Sequence, residues 1–184
     1  MTKNSYINLA IIVLFITLFS FVVEFFYPGI NDLKKVNLIG LFTMRFIHFY
    51  VFLYFLLFLF LFDYKSNNGI IYLILAVALS FLWKILDCCI VSYYEIKMYG
   101  LDHRKYLTTF HPCMYIFFRN YQEVALTIMG IVMVFTFYFI IAKTKLISLP
   151  YKVFFALIFG YLFLDSIIRS RFTKKSLDYP KFLK

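Results

Sequence analysis

Long apolar runs cut by short polar stretches organise this chain. The first run covers 6–26 and stops at Pro28 and Gly29. At 1.5 Å per residue, about 20 apolar positions cross the ~30 Å hydrocarbon core as a helix. A cleaved signal peptide has a shorter apolar region that ends in small residues, whereas this one ends Glu24-Phe25-Phe26-Tyr27. Similar runs follow at 39–62, 70–94, 124–141 and 149–168. The expected fold is an all-α integral membrane bundle with five transmembrane helices, or four if one run stays off the membrane.

The third run contains Ala76 and Ser80, a small-xxx-small pair, and Ala156 and Gly160 make a second one in the fifth. Small residues let membrane helices approach closely, so the third helix is the expected centre of the bundle. The longest interruption, 95–123, contains Asp102-His103-Arg104-Lys105 and an aromatic stretch broken by His111-Pro112. About a dozen apolar residues around a proline are too few to span, so an interfacial or re-entrant segment is expected there. Residues 169–184 read as a basic tail.

Composition agrees with this pattern. The 184 residues are 64% hydrophobic and 15% charged, where a soluble domain is nearer half apolar and a quarter charged. A single transmembrane domain over 1–184 accounts for the whole chain. The net charge of +10 lies mostly in loops and tail. Basic flanks on so apolar a protein suit anionic lipid headgroups and neighbouring membrane subunits, and nucleic acid is not an expected partner. With five spans, five basic residues fall on one side and thirteen on the other, with Lys84 intramembrane. The positive-inside rule then places the N-terminus outside and the C-terminus in the cytoplasm.

Six ionisable residues interrupt the apolar runs: Glu24, Arg45, His48, Lys84, Asp87 and Asp165. In the five-span arrangement all six fall in the basic-side leaflet. They could line a polar chamber, because intramembrane charges are functional candidates by default. Alternatively they snorkel, pair and fix helix register, and this reading is preferred because none has to sit at the midplane. Lys84 and Asp87 are three apart and expected to pair on one helix face; Asp165 and Arg169 are four apart.

Several chemistries find no support. Cys88, Cys89 and Cys113 form no Cys-x-x-Cys, and the three histidines form no HExxH or His-rich box. Only His48 lies within a span, so bis-His haem ligation is not expected. Spacing assembles no nucleophile–His–acid triad, and no potassium-type selectivity filter is present. No cofactor or metal is expected, and the three cysteines are expected to be free.

The end of the third run reads Trp83, then Cys89-Ile90-Val91-Ser92-Tyr93-Tyr94-Glu95. It resembles small multi-pass membrane proteins of uncharacterised function from bacteria and large DNA viruses. Their pattern is a Trp followed by Cys-x-(Leu/Val)-(Thr/Ser)-x-x-Glu at a helix end. Leu82 stands where that pattern has a His. The resemblance implies a four- or five-helix bundle and no known reaction. On a helix, Cys89, Ser92 and Glu95 share one stripe, which reads first as a hydrogen-bond cluster fastening the third helix to a neighbour.

Three functions fit these observations. The first is a non-enzymatic structural or assembly component of a membrane complex or viral membrane. The second is a small transporter, channel or proton-path subunit using Lys84, Asp87, His48 and Arg45. The third is a membrane enzyme acting on lipid headgroups. Convergence of the six charged groups on one cavity would separate the last two from the first.

Overall fold

The computed structural model describes residues 2–26, 37–86, 89–99, 116–118 and 121–172, with backbone alone at 2–3, 122–123 and 166–172. Its main elements are six helices: α1 Thr2–Phe25, α2 Leu38–Leu61, α3 Asn67–Leu86, α4 Ile90–Met98, α5 Gln122–Lys143 and α6 Leu149–Phe172. Four of them, α1, α2, α3 and α5, are long and apolar enough to cross a membrane. Their outward faces carry exposed side chains such as Phe15, Phe60 and Ile131. So much contiguous exposed apolar surface is a liability in water and is solvated by lipid tails in a bilayer. The fold is a helical membrane bundle.

Local chemistry sets the helix ends. Asn37 caps α2, its Oδ1 accepting the Gly40 N–H at 3.0 Å. Between α2 and α3, Asp63 Oδ1 accepts the Lys65 N–H at 2.9 Å and closes a tight polar turn. After α5, Thr144 N–H returns to Ile140 O at 2.8 Å before α6 begins.

Lipid tails are as apolar as the side chains, so burial alone does not drive the helices together; close packing and hydrogen bonds do. Here aromatic rings supply much of the packing. Phe58 of α2 meets Tyr72 of α3 with centroids 4.5 Å apart, and Phe137 of α5 stacks on Phe159 of α6 at 3.9 Å. Tyr72 Oη donates to Met133 O at 3.3 Å, giving a buried hydroxyl an acceptor on α5. At the far end, Tyr6 Oη donates to Asn68 Oδ1 at 2.9 Å and ties α1 to the start of α3.

Two expectations need correction. The third helix does not run unbroken over 70–94: α3 ends at Leu86 and α4 starts at Ile90. Cys89 between them is extended, with φ −69° and ψ 123°. The break lets α4 lie against the start of α2, where Gly40 makes room for it. A Cβ on Gly40 would stand 3.1 Å from Met98 Sδ. This placement buries Ser92, Glu95 and Ile96. The centre is also not α3 alone. α2 packs on α1, α4 and α5, while α3 packs on α6, α5 and α4.

The small residues are used in two ways. Ala76 and Ser80 are buried, and Ser80 Oγ donates back to Ala76 O at 2.9 Å. Tyr138 fills the Ala156–Gly160 notch, its hydroxyl donating to Ala156 O at 3.2 Å. Most of the expected interfacial segment after α4, and the tail beyond Phe172, lie outside the described residues.

Candidate functional site

Arg45 lies two turns into α2 and is fully buried. Its Nη1 sits 2.6 Å from Glu24 Oε2 in the last turns of α1, and its Nε sits 3.1 Å from Glu95 Oε1 on α4. Nη1 also reaches Ser20 Oγ at 3.3 Å, and Nη2 donates to the Tyr99 hydroxyl. Tyr99 in turn donates to Glu24 Oε1. The Phe21 ring covers the guanidinium face, with its centroid 4.5 Å from Cζ. One cation thus joins three helices, and each nitrogen of the guanidinium meets an acceptor.

Such a cluster is costly to desolvate and costly to break. Each buried ion loses several kcal/mol of hydration, and removing one partner strands another, typically at ~3–5 kcal/mol. Glu95 is completely buried. Burial opposes its ionisation, but His48 and Arg45 outweigh burial and hold its carboxyl below the usual range. Tyr99 remains a neutral phenol: burial pushes it well up, Arg45 offsets part of this, and Glu24 and Glu95 add to it.

His48 stands one helical turn beyond Arg45. Its Nδ1 is 3.6 Å from Glu95 Oε2 and its Nε2 is 3.9 Å from Cys89 Sγ. Cys89 is the residue before the first turn of α4, beyond the membrane-length segment that ends at Leu86. Burial pushes its thiol up, but the facing His48 and the amides of Val91 and Ser92 outweigh burial and lower it to about 7. Cys89 is a free, buried thiol.

The sequence-predicted residues therefore divide. Glu24, Arg45 and His48 meet in one cluster, joined there by Cys89 and Glu95; Ser92 is buried on the same short helix. Lys84 and Asp165 form a second site between α3 and α6, with Nζ 3.7 Å from Oδ2. Lys84 Nζ also donates to Tyr161 Oη at 2.7 Å. The expected Lys84 partner, Asp87, lies outside the described residues, as do Cys88 and Cys113 and the side chain of Arg169.

Sequence reasoning missed Ser20, Phe21 and Tyr99, and it kept Cys89 and Glu95 apart from Arg45 and His48. Available signals were the i, i+3 spacing of Arg45 and His48 and the i, i+4 spacing of Glu95 and Tyr99. Among the described residues, no group of three His, Cys, Asp or Glu side chains is placed to hold a metal ion. Comparison with protein-family models, curated proteins and solved structures finds no match for this chain.

Proposed function

We propose that this chain is a five-span structural or assembly component of a membrane complex, with its N-terminus outside and its C-terminus in the cytoplasm. The supporting observation is how a fully buried charge is used. Arg45 is wholly enclosed and spends its donors on Glu24, Glu95, Ser20 and Tyr99 of the same chain. Charges that line a transport path face water, whereas these fasten α1, α2 and α4 to one another. Two surface grooves among the described residues are apolar. Ile74, Val77, Ala78, Phe81, Phe155, Ile158 and Leu162 line one, and Phe21, Leu38, Ile39 and Phe42 line the other. Both suit lipid chains or neighbouring helices.

In this reading α6 is the fifth span, and the basic side rests on anionic headgroups. The resemblance at Trp83, Cys89, Val91, Ser92 and Glu95 belongs to the same proposal: within it, the pattern marks a short helix folded back under a buried arginine. Reporter fusions after Lys65 and after Lys184 test the topology and should report opposite sides; the same side for both would overturn the five-span arrangement. Extraction in a mild detergent tests the assembly role. A native particle well above the 22.1 kDa chain and its detergent belt is expected. A monomer under every mild condition would contradict it.

A further inference from the structure

Cys89 and His48 take no part in neutralising Arg45, and their arrangement with Glu95 has a direction. Cys89 Sγ faces His48 Nε2 at 3.9 Å, and His48 Nδ1 faces Glu95 Oε2 at 3.6 Å. A thiol, a base and a carboxylate that orients the base thus stand in sequence. The first separation lies at the long end of hydrogen bonds to sulfur and the second just beyond an ordinary one, as is common in resting sites that tighten only around substrate. We infer that these residues form a thiol acyl-transfer site whose donor is a long-chain acyl ester or thioester reaching it from the bilayer. This goes beyond the assembly role and does not depend on it.

Three further observations support the assignment. First, Glu95 is anchored. Arg45 Nε takes its Oε1 at 3.1 Å, so its Oε2 is held toward His48. Glu95 is thus a positioning residue that acts through the imidazole. Second, Arg45 carries one positive charge against the carboxylates of Glu24 and Glu95. The imidazolium formed when His48 takes the thiol proton faces the Glu95 carboxylate across 3.6 Å. Third, Cys89 is the N-cap residue of α4. The first bond inside that helix runs from Tyr93 N–H to Cys89 O at 2.9 Å. The amides of Ile90 and Val91 precede it at the positive end of the helix, where negative charge on a carbonyl oxygen attached to Cys89 is stabilised.

Position selects the donor class. Cys89 lies three residues beyond Leu86, where the membrane-length part of α3 ends. A hydrocarbon boundary at the end of that segment would set the carbonyls of acyl lipids beside Cys89 while their chains remain inside it.

The step balances within the site. His48 Nε2 takes the Cys89 proton, and Sγ forms a bond to the acyl carbonyl carbon. The bond from that carbon to the leaving oxygen or sulfur then breaks. His48 returns its proton to the leaving group, giving S-acyl-Cys89 and a free alcohol or thiol. Water attacking the thioester, with His48 again as base, releases the fatty acid and restores the thiol.

The test uses the full chain in lipid nanodiscs in two arms. One holds ether-linked phosphatidylcholine with added palmitoyl-coenzyme A; the other holds ester-linked phosphatidylcholine alone. Mass spectrometry follows hydroxylamine-labile acyl groups on Cys88, Cys89 and Cys113. Labelling of Cys89 ahead of the other two supports the site, and the arm that labels identifies the donor as thioester or glycerolipid ester. His48→Asn and His48→Gln should slow Cys89 labelling roughly a hundredfold while melting stays near wild type. Cys88→Ser should label as wild type does. No label in either arm, equal labelling of the three cysteines, or an unchanged rate in a folded His48 variant would overturn the inference. If both His48 variants fail to fold, selectivity among the wild-type cysteines decides. Reporter topology and native particle size are unaffected by any of these outcomes, so the assembly reading fails or stands separately.

Discussion

Arg45 Nε donates to Glu95 Oε1 at 3.1 Å across fifty positions of sequence, from the start of one membrane helix to a short helix folded against it. The same guanidinium holds Glu24 at 2.6 Å. One residue therefore sets the relative placement of α1, α2 and α4. The geometry explains why the chain bends at Cys89: a straight continuation of α3 would carry Glu95 away from the cation it neutralises.

The hydroxyl of Tyr99 stands between Arg45 Nη2 and Glu24 Oε1, accepting from one and donating to the other. Tyr99→Phe removes both bonds and keeps the ring. Hydrogen bonds to charged groups are worth about 1.5–3 kcal/mol, so a loss of about 2 kcal/mol is expected. Thermal unfolding in nanodiscs measures it. A wild-type midpoint would show that the hydroxyl contributes nothing to the clamp.

Gly160 of α6 faces the Tyr138 hydroxyl of α5, and an added Cβ would lie 3.0 Å from that oxygen. Gly160→Ala should cost about 1 kcal/mol, the low end for overpacking, because a single side-chain tip must give way. Adding Tyr138→Phe should recover part of the loss. If the double variant melts at or below the single one, the notch is not where the two helices meet.

The Cys89 thiol, lowered to about 7 by His48 and the α4 amides against the effect of burial, gives a pH signature. The thiolate is the reactive form, so alkylation should be slow at pH 5, rise through a midpoint near 7 and level off above it. Other groups in the cluster are Glu95 and Tyr99 from α4, Arg45 from α2 and Glu24 from α1; Glu95 and Tyr99 hold fixed protonation over that range. His48→Asn should move the midpoint up toward an ordinary thiol. A midpoint unmoved by that change would remove His48 from the thiol's environment.

The fold class was legible because apolar runs of membrane length leave few alternatives, and 6–26 and 39–62 lie within a few residues of α1 and α2. The break at Cys89 was not legible. Ile85 to Tyr94 is apolar enough to continue a helix, and only the distant partner of Glu95 makes the turn favourable. Arg45 and His48 could be placed on one face by spacing alone. That Glu24 and Glu95 meet the same guanidinium depends on two interhelical contacts that no local pattern encodes. Tyr99 was hidden for a similar reason, since one more tyrosine among sixteen gives no signal until its hydroxyl has a partner.

Lys84 and Asp165 offer a contrast to the clamp. Their side chains remain about a quarter exposed, and Nζ also lies over the Tyr161 ring at 4.1 Å. Partial exposure screens the pair, so Lys84→Met should cost about 1 kcal/mol or less. Detergent-solubilised melting checks this. A loss as large as that for an Arg45 variant would mean that the two helices depend on this pair as heavily as α1, α2 and α4 depend on theirs.

The most direct measurement compares the stability of Arg45→Met with that of the triple change Arg45→Met, Glu24→Leu and Glu95→Leu in nanodiscs. The single change leaves two buried carboxylates without their cation and should cost about 3–5 kcal/mol. The triple change removes all three charges and should recover most of that loss. A triple variant no more stable than Arg45→Met, or an Arg45→Met protein that melts like wild type, would contradict the buried clamp as the device that joins these three helices.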